Sequence, residues 1–256
     1  MKEIEAQLTL VGAGPGDPEL ITLKAIKALA AADVVLYDAL IHPDLLEYAP
    51  CSAEKIFVGK RKGLHNLIQD EINALIIEKA RKKGHVVRLK GGDPFIFGRG
   101  HEELVYARQH GIKVNIIPGV SSSTSLPALH GIPLTRRGIS ESFIVTTATT
   151  KTTDLSRDIS AAASTNSTVV ILMGLHKLDE IVKVFEQLGK RDLPIAIIQN
   201  GSHKDEKIVV STIRSITKEV IHNNIGAPAI IVIGEVVRLH DMFKDQEQIY
   251  KEVENF

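Results

Sequence analysis

Five short apolar runs in the first half of the chain each stop at a break of glycine, proline or aspartate. Leu8 to Val11 runs into Gly12-Ala13-Gly14-Pro15-Gly16-Asp17, and Val34 to Tyr37 stops at Asp38. Lys55 to Val58 leads into Gly59-Lys60-Arg61-Lys62-Gly63, Val86 to Leu89 into Gly91-Gly92-Asp93-Pro94, and Val114 to Ile117 into Pro118-Gly119. Runs of this length suit buried strands. Helical patterns lie between them. Ile72, Leu75, Ile76 and Ala80 share one face, with Gly84 as the stop. Leu20, Leu23 and Ile26 suggest an earlier helix, and Glu102 to His110 a later one ended by Gly111. Alternating strands and helices predict a parallel sheet covered by helices on both faces. Ligands of such sheets sit at the carboxyl ends of the strands, and every glycine-rich break falls at such an end.

The second half reads differently. Apolar runs recur at Phe143–Val145, Val169–Met173, Ile195–Ile198, Ile208–Val210 and Ile230–Ile233. A helix carrying Leu178, Ile181, Val182, Phe185 and Leu188 separates the second and third. Polar Gly201 to Lys207 joins the third and fourth, which suits a hairpin and predicts a mixed sheet. The expected organisation is therefore two α/β domains. Residues 1–118 form the first and 119–240 the second, with 119–140 a linker containing some helix. Residues 241–256 form a charged tail.

Arg88 to Glu103, RLKGGDPFIFGRGHEE, is the densest stretch. A strand ends, paired glycines free the backbone, Arg99 stands between Gly98 and Gly100, and Glu102 and Glu103 open a helix at the positive end of its dipole. Ordinary strand-to-helix loops run roughly 2–6 residues. This one is longer, which favours a binding loop.

Lys plus Arg and Asp plus Glu both number 31, so net charge is zero. That balance disfavours a nucleic-acid binder that relies on global charge. A single cysteine, Cys51, rules out an intrachain disulfide and fits a reducing, cytoplasmic setting. No apolar run is long enough for a membrane span. No metal site is expected: His101-Glu102-Glu103 begins like a zinc-binding helix, but position 105 is valine.

The Gly12 to Asp17 loop does not fit a dinucleotide fingerprint. The third glycine would stand at 17, which is aspartate, and Pro15 removes an amide. Asp38, at a strand end, suits either a turn or cap, or a group that orients a substrate NH or takes a proton. Lys60-Arg61-Lys62 and Arg136-Arg137 are local basic clusters in a neutral chain. Together with Arg99 they suit a polyanion, because arginine forks match carboxylates. Met173 fits either a core or a soft wall beside a sulfonium or purine.

Taken together, Gly12 to Asp17, Ile21-Thr22-Leu23-Lys24-Ala25, Tyr37-Asp38-Ala39-Leu40, Val58-Gly59-Lys60-Arg61, Arg88 to Glu103, Gly131-Ile132-Pro133-Leu134-Thr135 and Gly226-Ala227-Pro228-Ala229 resemble the tetrapyrrole methylase superfamily. Within it they are most similar to the uroporphyrinogen-III C-methyltransferases, over roughly residues 7–240. The resemblance implies two α/β domains with a cofactor cleft between them, a homodimer, and S-adenosylmethionine as methyl donor. The implied reaction methylates uroporphyrinogen III at C2 and C7 to give precorrin-2, for sirohaem, cobalamin or haem d1. By motif position, Pro15, Gly91, Gly92, Asp93, Ile96, Ser121, Ser122, Met173 and Gly201 would meet the cofactor. Asp38 and Arg99 would be catalytic, and Lys60, Glu102 and Arg137 would hold the tetrapyrrole. No metal, membrane or nucleic acid is implied. Departures from the family pattern stand at His101, Arg136 and Thr147-Ala148. Other superfamily reactions stay open, on a later corrin intermediate, on diphthamide or on ribosomal RNA ribose. So does a non-catalytic cofactor-binding role. The Arg99 block and Lys60-Arg61 favour uroporphyrinogen.

Overall fold

A computed structural model describes residues 5–59, 67–148 and 154–243. The chain divides into two compact units, residues 1–122 and 123–256.

Unit 1 is built on a five-stranded sheet in the order β3-β2-β4-β1-β5, with every neighbouring pair parallel. The strands are β1 (Gln7–Gly12), β2 (Val34–Tyr37), β3 (Glu54–Phe57), β4 (His85–Lys90) and β5 (Lys113–Ile117). They match the apolar runs to within a residue or so. Helices α1 (Leu23–Ala30), α2 (Gln69–Lys83) and α3 (Gly100–Gln109) complete the unit. Strand alternation separates two cores. Leu8, Leu10, Val34, Leu36 and Val86 pack with Ile72 and Ile76 of α2 and Leu104 and Ala107 of α3. Val11, Val35, Val87 and Leu89 pack on the other face with Ala25 and Leu29 of α1. Helices therefore cover both faces, as the pattern predicts.

The start and stop signals carry the expected interactions. Thr22 Oγ1 accepts from the Ala25 amide at 3.1 Å, and Glu71 Oε2 accepts from the Ile68 amide at 2.8 Å. Gly84 follows α2 at φ 117°, where a side chain would be strained. One face assignment is corrected. Leu23 is 79% exposed, and α1 buries Ala25 and Leu29 instead. Leu23 is the first residue of the helix, and the Leu20–Ile26 stripe begins before the helix does.

Unit 2 holds a second five-stranded sheet in the order β6-β7-β10-β8-β9. Its strands are β6 (Phe143–Thr147), β7 (Thr168–Leu172), β8 (Pro194–Gln199), β9 (Lys207–Thr212) and β10 (Ala229–Ile233). β6 and β7 are parallel, and the other pairs are antiparallel. The sheet is mixed, and β8–β9 is the expected hairpin. α4 (Ser122–Leu129) lies in the stretch read as a linker, with Pro127 inside it. α6 (Leu178–Gln187) buries Leu178, Ile181 and Phe185, while Leu188 lies just past its end and is 45% exposed. Two further helices, α5 (Arg157–Ala163) and α7 (Ile216–His222), carry no clear apolar stripe in the sequence. Among the described residues, no helix is long and apolar enough to cross a membrane.

Candidate active site

Three loops at the carboxyl edge of the first sheet meet backbone to backbone. A Cβ on Gly12 would lie 2.4 Å from Gly119 Cα, and one on Gly119 would lie 2.3 Å from Gly92 O. Only bare backbone fits at Gly12 and Gly119. Gly92 and Gly14 exchange both amides, N to O at 2.7 and 3.3 Å. The loop after β1 is thereby tied to the loop after β4. Asp93 completes the tie. Its Oδ2 accepts from the Gly119 amide at 3.0 Å and its Oδ1 from the Phe95 amide at 2.7 Å. Asp93, expected beside the cofactor, braces the loops.

Gly92 differs from its neighbours. It has φ 65°, and a Cβ there would meet nothing within 4 Å. Bare backbone faces open space at that point. Ile96 is exposed nearby in sequence, and Pro15 is half-buried. Ser121 is buried and Ser122 half-buried at the start of α4.

Asp38 stands one residue beyond β2 and is held at both oxygens. Oδ1 accepts from the Leu40 amide at 3.1 Å, a turn interaction. Oδ2 lies 3.4 Å from Arg88 Nη2. Asp38 therefore shapes a turn and places a carboxylate at the carboxyl end of β2.

Beneath Asp38 is a charge cluster not anticipated from the sequence. Arg88, Lys90 and Glu103 are 4%, 4% and 1% exposed. Glu103 Oε1 accepts from Lys90 Nζ at 2.9 Å, Gln69 Nε2 at 3.2 Å and Arg88 Nε at 3.3 Å. Arg88 Nη1 also donates to the carbonyls of Leu89 (2.9 Å) and Leu36 (3.4 Å). Glu103 Oε2 is buried with no hydrogen-bond partner among the described residues. Burial, then the Arg88 charge, lowers the Lys90 ammonium from its ordinary range, while Glu103 and Asp38 pull the other way. Glu103 is thus more than a dipole-favouring acid at a helix start. The available signal was the spacing: two cations at alternate positions of an otherwise apolar strand must share a face and need a buried anion.

Arg99 caps α3 in the left-handed conformation, φ 59°. Its flanking glycines answer a packing demand. A Cβ on Gly98 or Gly100 would lie 2.7 or 2.5 Å from the Pro94 carbonyl oxygen. The guanidinium is half exposed and grips Glu102 with two bonds. That contact raises the Arg99 pKa above its already high ordinary value. Arg99 is therefore a fixed cation and a poor proton acceptor in this arrangement.

In unit 2, Met173 follows β7 at φ 53° and is 54% exposed, so it is not a core methionine. Gly201 is buried, and a Cβ there would lie 2.4 Å from Leu126 Cδ1 of α4. Arg136 and Arg137 are exposed in a tight turn closed by paired bonds between Arg136 and Ser140. Lys60, with Arg61 and Lys62, lies outside the described residues.

Comparison with known proteins agrees with this architecture. Residues 7–217 match the family model described as Tetrapyrrole (Corrin/Porphyrin) Methylases. A uroporphyrinogen-III C-methyltransferase of Methanocaldococcus jannaschii is 45% identical over 237 residues, covering 92% of this chain and 98% of that protein. A siroheme synthase of Psychrobacter sp. is 39% identical over 92% of this chain, which spans 48% of that longer protein. The uroporphyrin-III C-methyl transferase of Thermus thermophilus, solved with S-adenyl homocysteine, superposes with a TM-score of 0.78 at 38% identity. The match covers 91% of this chain and 99% of that one. With the fold, the glycine-tied loops and these matches in agreement, the chain belongs to the tetrapyrrole (corrin/porphyrin) methylase family.

Proposed function

We propose that the chain is an S-adenosylmethionine-dependent uroporphyrinogen-III C-methyltransferase that methylates C2 and C7 and releases precorrin-2. The reading is carried by 45% identity to a relative of that name across 92% of this chain. The cofactor is the methyl donor, supported by the relative solved with its demethylated product.

In unit 1 the open backbone at Gly92 fits the cofactor. Gly91, Asp93, Ile96, Pro15, Ser121 and Ser122 are proposed to share its contacts. Met173 and Gly201 are the unit 2 candidates. When bound, the donor supplies an electrophilic methyl group. The protein's own task is chiefly to position the reactants, which can contribute up to ~7–11 kcal/mol. Methylation of a pyrrole carbon leaves a cationic ring that must lose a proton. Asp38, a carboxylate at the sheet edge, suits that role. Arg99 keeps its charge and suits a substrate carboxylate, with Glu102 fixing its fork. Lys60 and Arg137 are proposed to bind further carboxylates of the substrate.

Homodimerisation and a cytoplasmic setting belong to the same proposal. The exposed, unbridged Cys51 fits a reducing compartment, and sedimentation would test the dimer. Incubation with uroporphyrinogen III and S-adenosylmethionine without oxygen, followed by mass, tests the activity.

A further inference from the structure

Four charged side chains sit at or beneath one strand end, and three are almost wholly buried. A buried ion cluster is a weak way to gain stability, because well-packed apolar residues of similar volume often do as well or better. The geometry suggests another reason for it. Leu36 of β2 pairs with Arg88 of β4, and Asp38 lies two residues beyond Leu36. The Arg88 side chain reaches from the α3 side of the sheet to Asp38 Oδ2. The three nitrogens of its guanidinium are all engaged: Nε by Glu103, Nη1 by two carbonyls, Nη2 by Asp38. It has little freedom to reorient. The loops carrying these groups also pack closely, since a Cβ on Gly91 would lie 2.5 Å from Leu40 Cβ.

We propose that Arg88 and Glu103 are positioning residues for the methyl-transfer reaction: Glu103, itself fixed by Lys90 and Gln69, holds the Arg88 guanidinium, and Arg88 fixes the orientation of the Asp38 carboxylate. The inference rests on the reading of Asp38 as a group that faces the substrate. Glu103 is set in the first turn of α3, which Arg99 caps. The same carboxylate therefore links Asp38 to the helix that carries Arg99 and Glu102.

The test is a double-mutant cycle of Asp38→Asn and Glu103→Gln in the full chain. It is read by kcat and KM for methylation of uroporphyrinogen III and by calorimetric affinity for S-adenosylhomocysteine. Positioning predicts that Glu103→Gln lowers kcat roughly tenfold, leaves cofactor affinity within about twofold, and has little further effect once Asp38 is asparagine. Losses that multiply independently, or an unchanged kcat for Glu103→Gln, overturn the inference while leaving the Asp38 reading intact. Full turnover by Asp38→Asn alone overturns the Asp38 reading and this inference with it. If Glu103→Gln does not fold, Arg88→Lys serves in its place. It keeps the charge but shortens the reach to Asp38, and the same non-additivity is expected.

Discussion

Arg99 and Glu102 are joined by two parallel bonds, Nε to Oε1 at 2.9 Å and Nη2 to Oε2 at 2.6 Å. Both side chains are about half exposed, so the pair itself adds little stability. Its effect is geometric: it aims a permanently charged fork along the first turn of α3.

Arg99→Lys is therefore expected to keep the charge and lose the fork. Losing a charge-assisted contact of roughly 1.5–3 kcal/mol corresponds to about a tenfold to hundredfold fall in turnover. Affinity for S-adenosylhomocysteine, measured on the same variant, should hold. Near-normal turnover, or lost cofactor binding with turnover per bound cofactor intact, would assign Arg99 a different role.

Gly12 and Gly92 separate packing from ligand access. Gly12→Ala drives a Cβ into the Gly119 backbone, and should cost stability at the upper end of roughly 1–3 kcal/mol. Gly92→Ala meets no atom and carries only left-handed strain, about 1–2 kcal/mol. Gly92→Val, with a branched side chain on the open side, should weaken cofactor binding far more than it lowers the melting temperature. Equal effects of the Gly12 and Gly92 variants on both quantities would contradict the assignment.

Much of this was legible before the structure. Short apolar runs alternating with helical patterns in the first half predict a parallel sheet, and the register places their breaks on one edge. The meaning of individual residues was less legible. The glycines around Arg99 are in close contact with the Pro94 carbonyl, which the sequence does not reveal. Leu23 looks like a core residue by spacing and is solvent-facing, because the helix starts there. Arg88 and Lys90 stood in plain view. Their significance depends on Glu103, which reaches them only through the packing of α3 on the sheet. Met173 allowed two readings, and the left-handed backbone after β7 decides for exposure.

Lys90 should leave a signature in the pH dependence of stability. Its folded pKa lies below its ordinary 10.5, so the unfolded chain binds the proton more readily in the window between the two values. Stability contributed by this group therefore rises with pH through that window, as the penalty of burying the ammonium is relieved. Lys90→Met lacks this ionisable group. In denaturant titrations the stability of the wild type relative to Lys90→Met should increase as pH climbs toward 10.5. A gap that stays constant with pH would show that the ammonium is not penalised by burial.

Turnover without oxygen reads the methylation itself. The folded protein, shown by calorimetry to bind S-adenosylhomocysteine, is incubated with uroporphyrinogen III and S-adenosylmethionine, and the products are followed by mass and absorbance. The expected result is a tetrapyrrole gaining one and then two methyl groups, with one S-adenosylhomocysteine formed per methyl and the absorbance of precorrin-2 at the end. Unmodified uroporphyrinogen III after incubation with protein that is folded and binds the cofactor would contradict it.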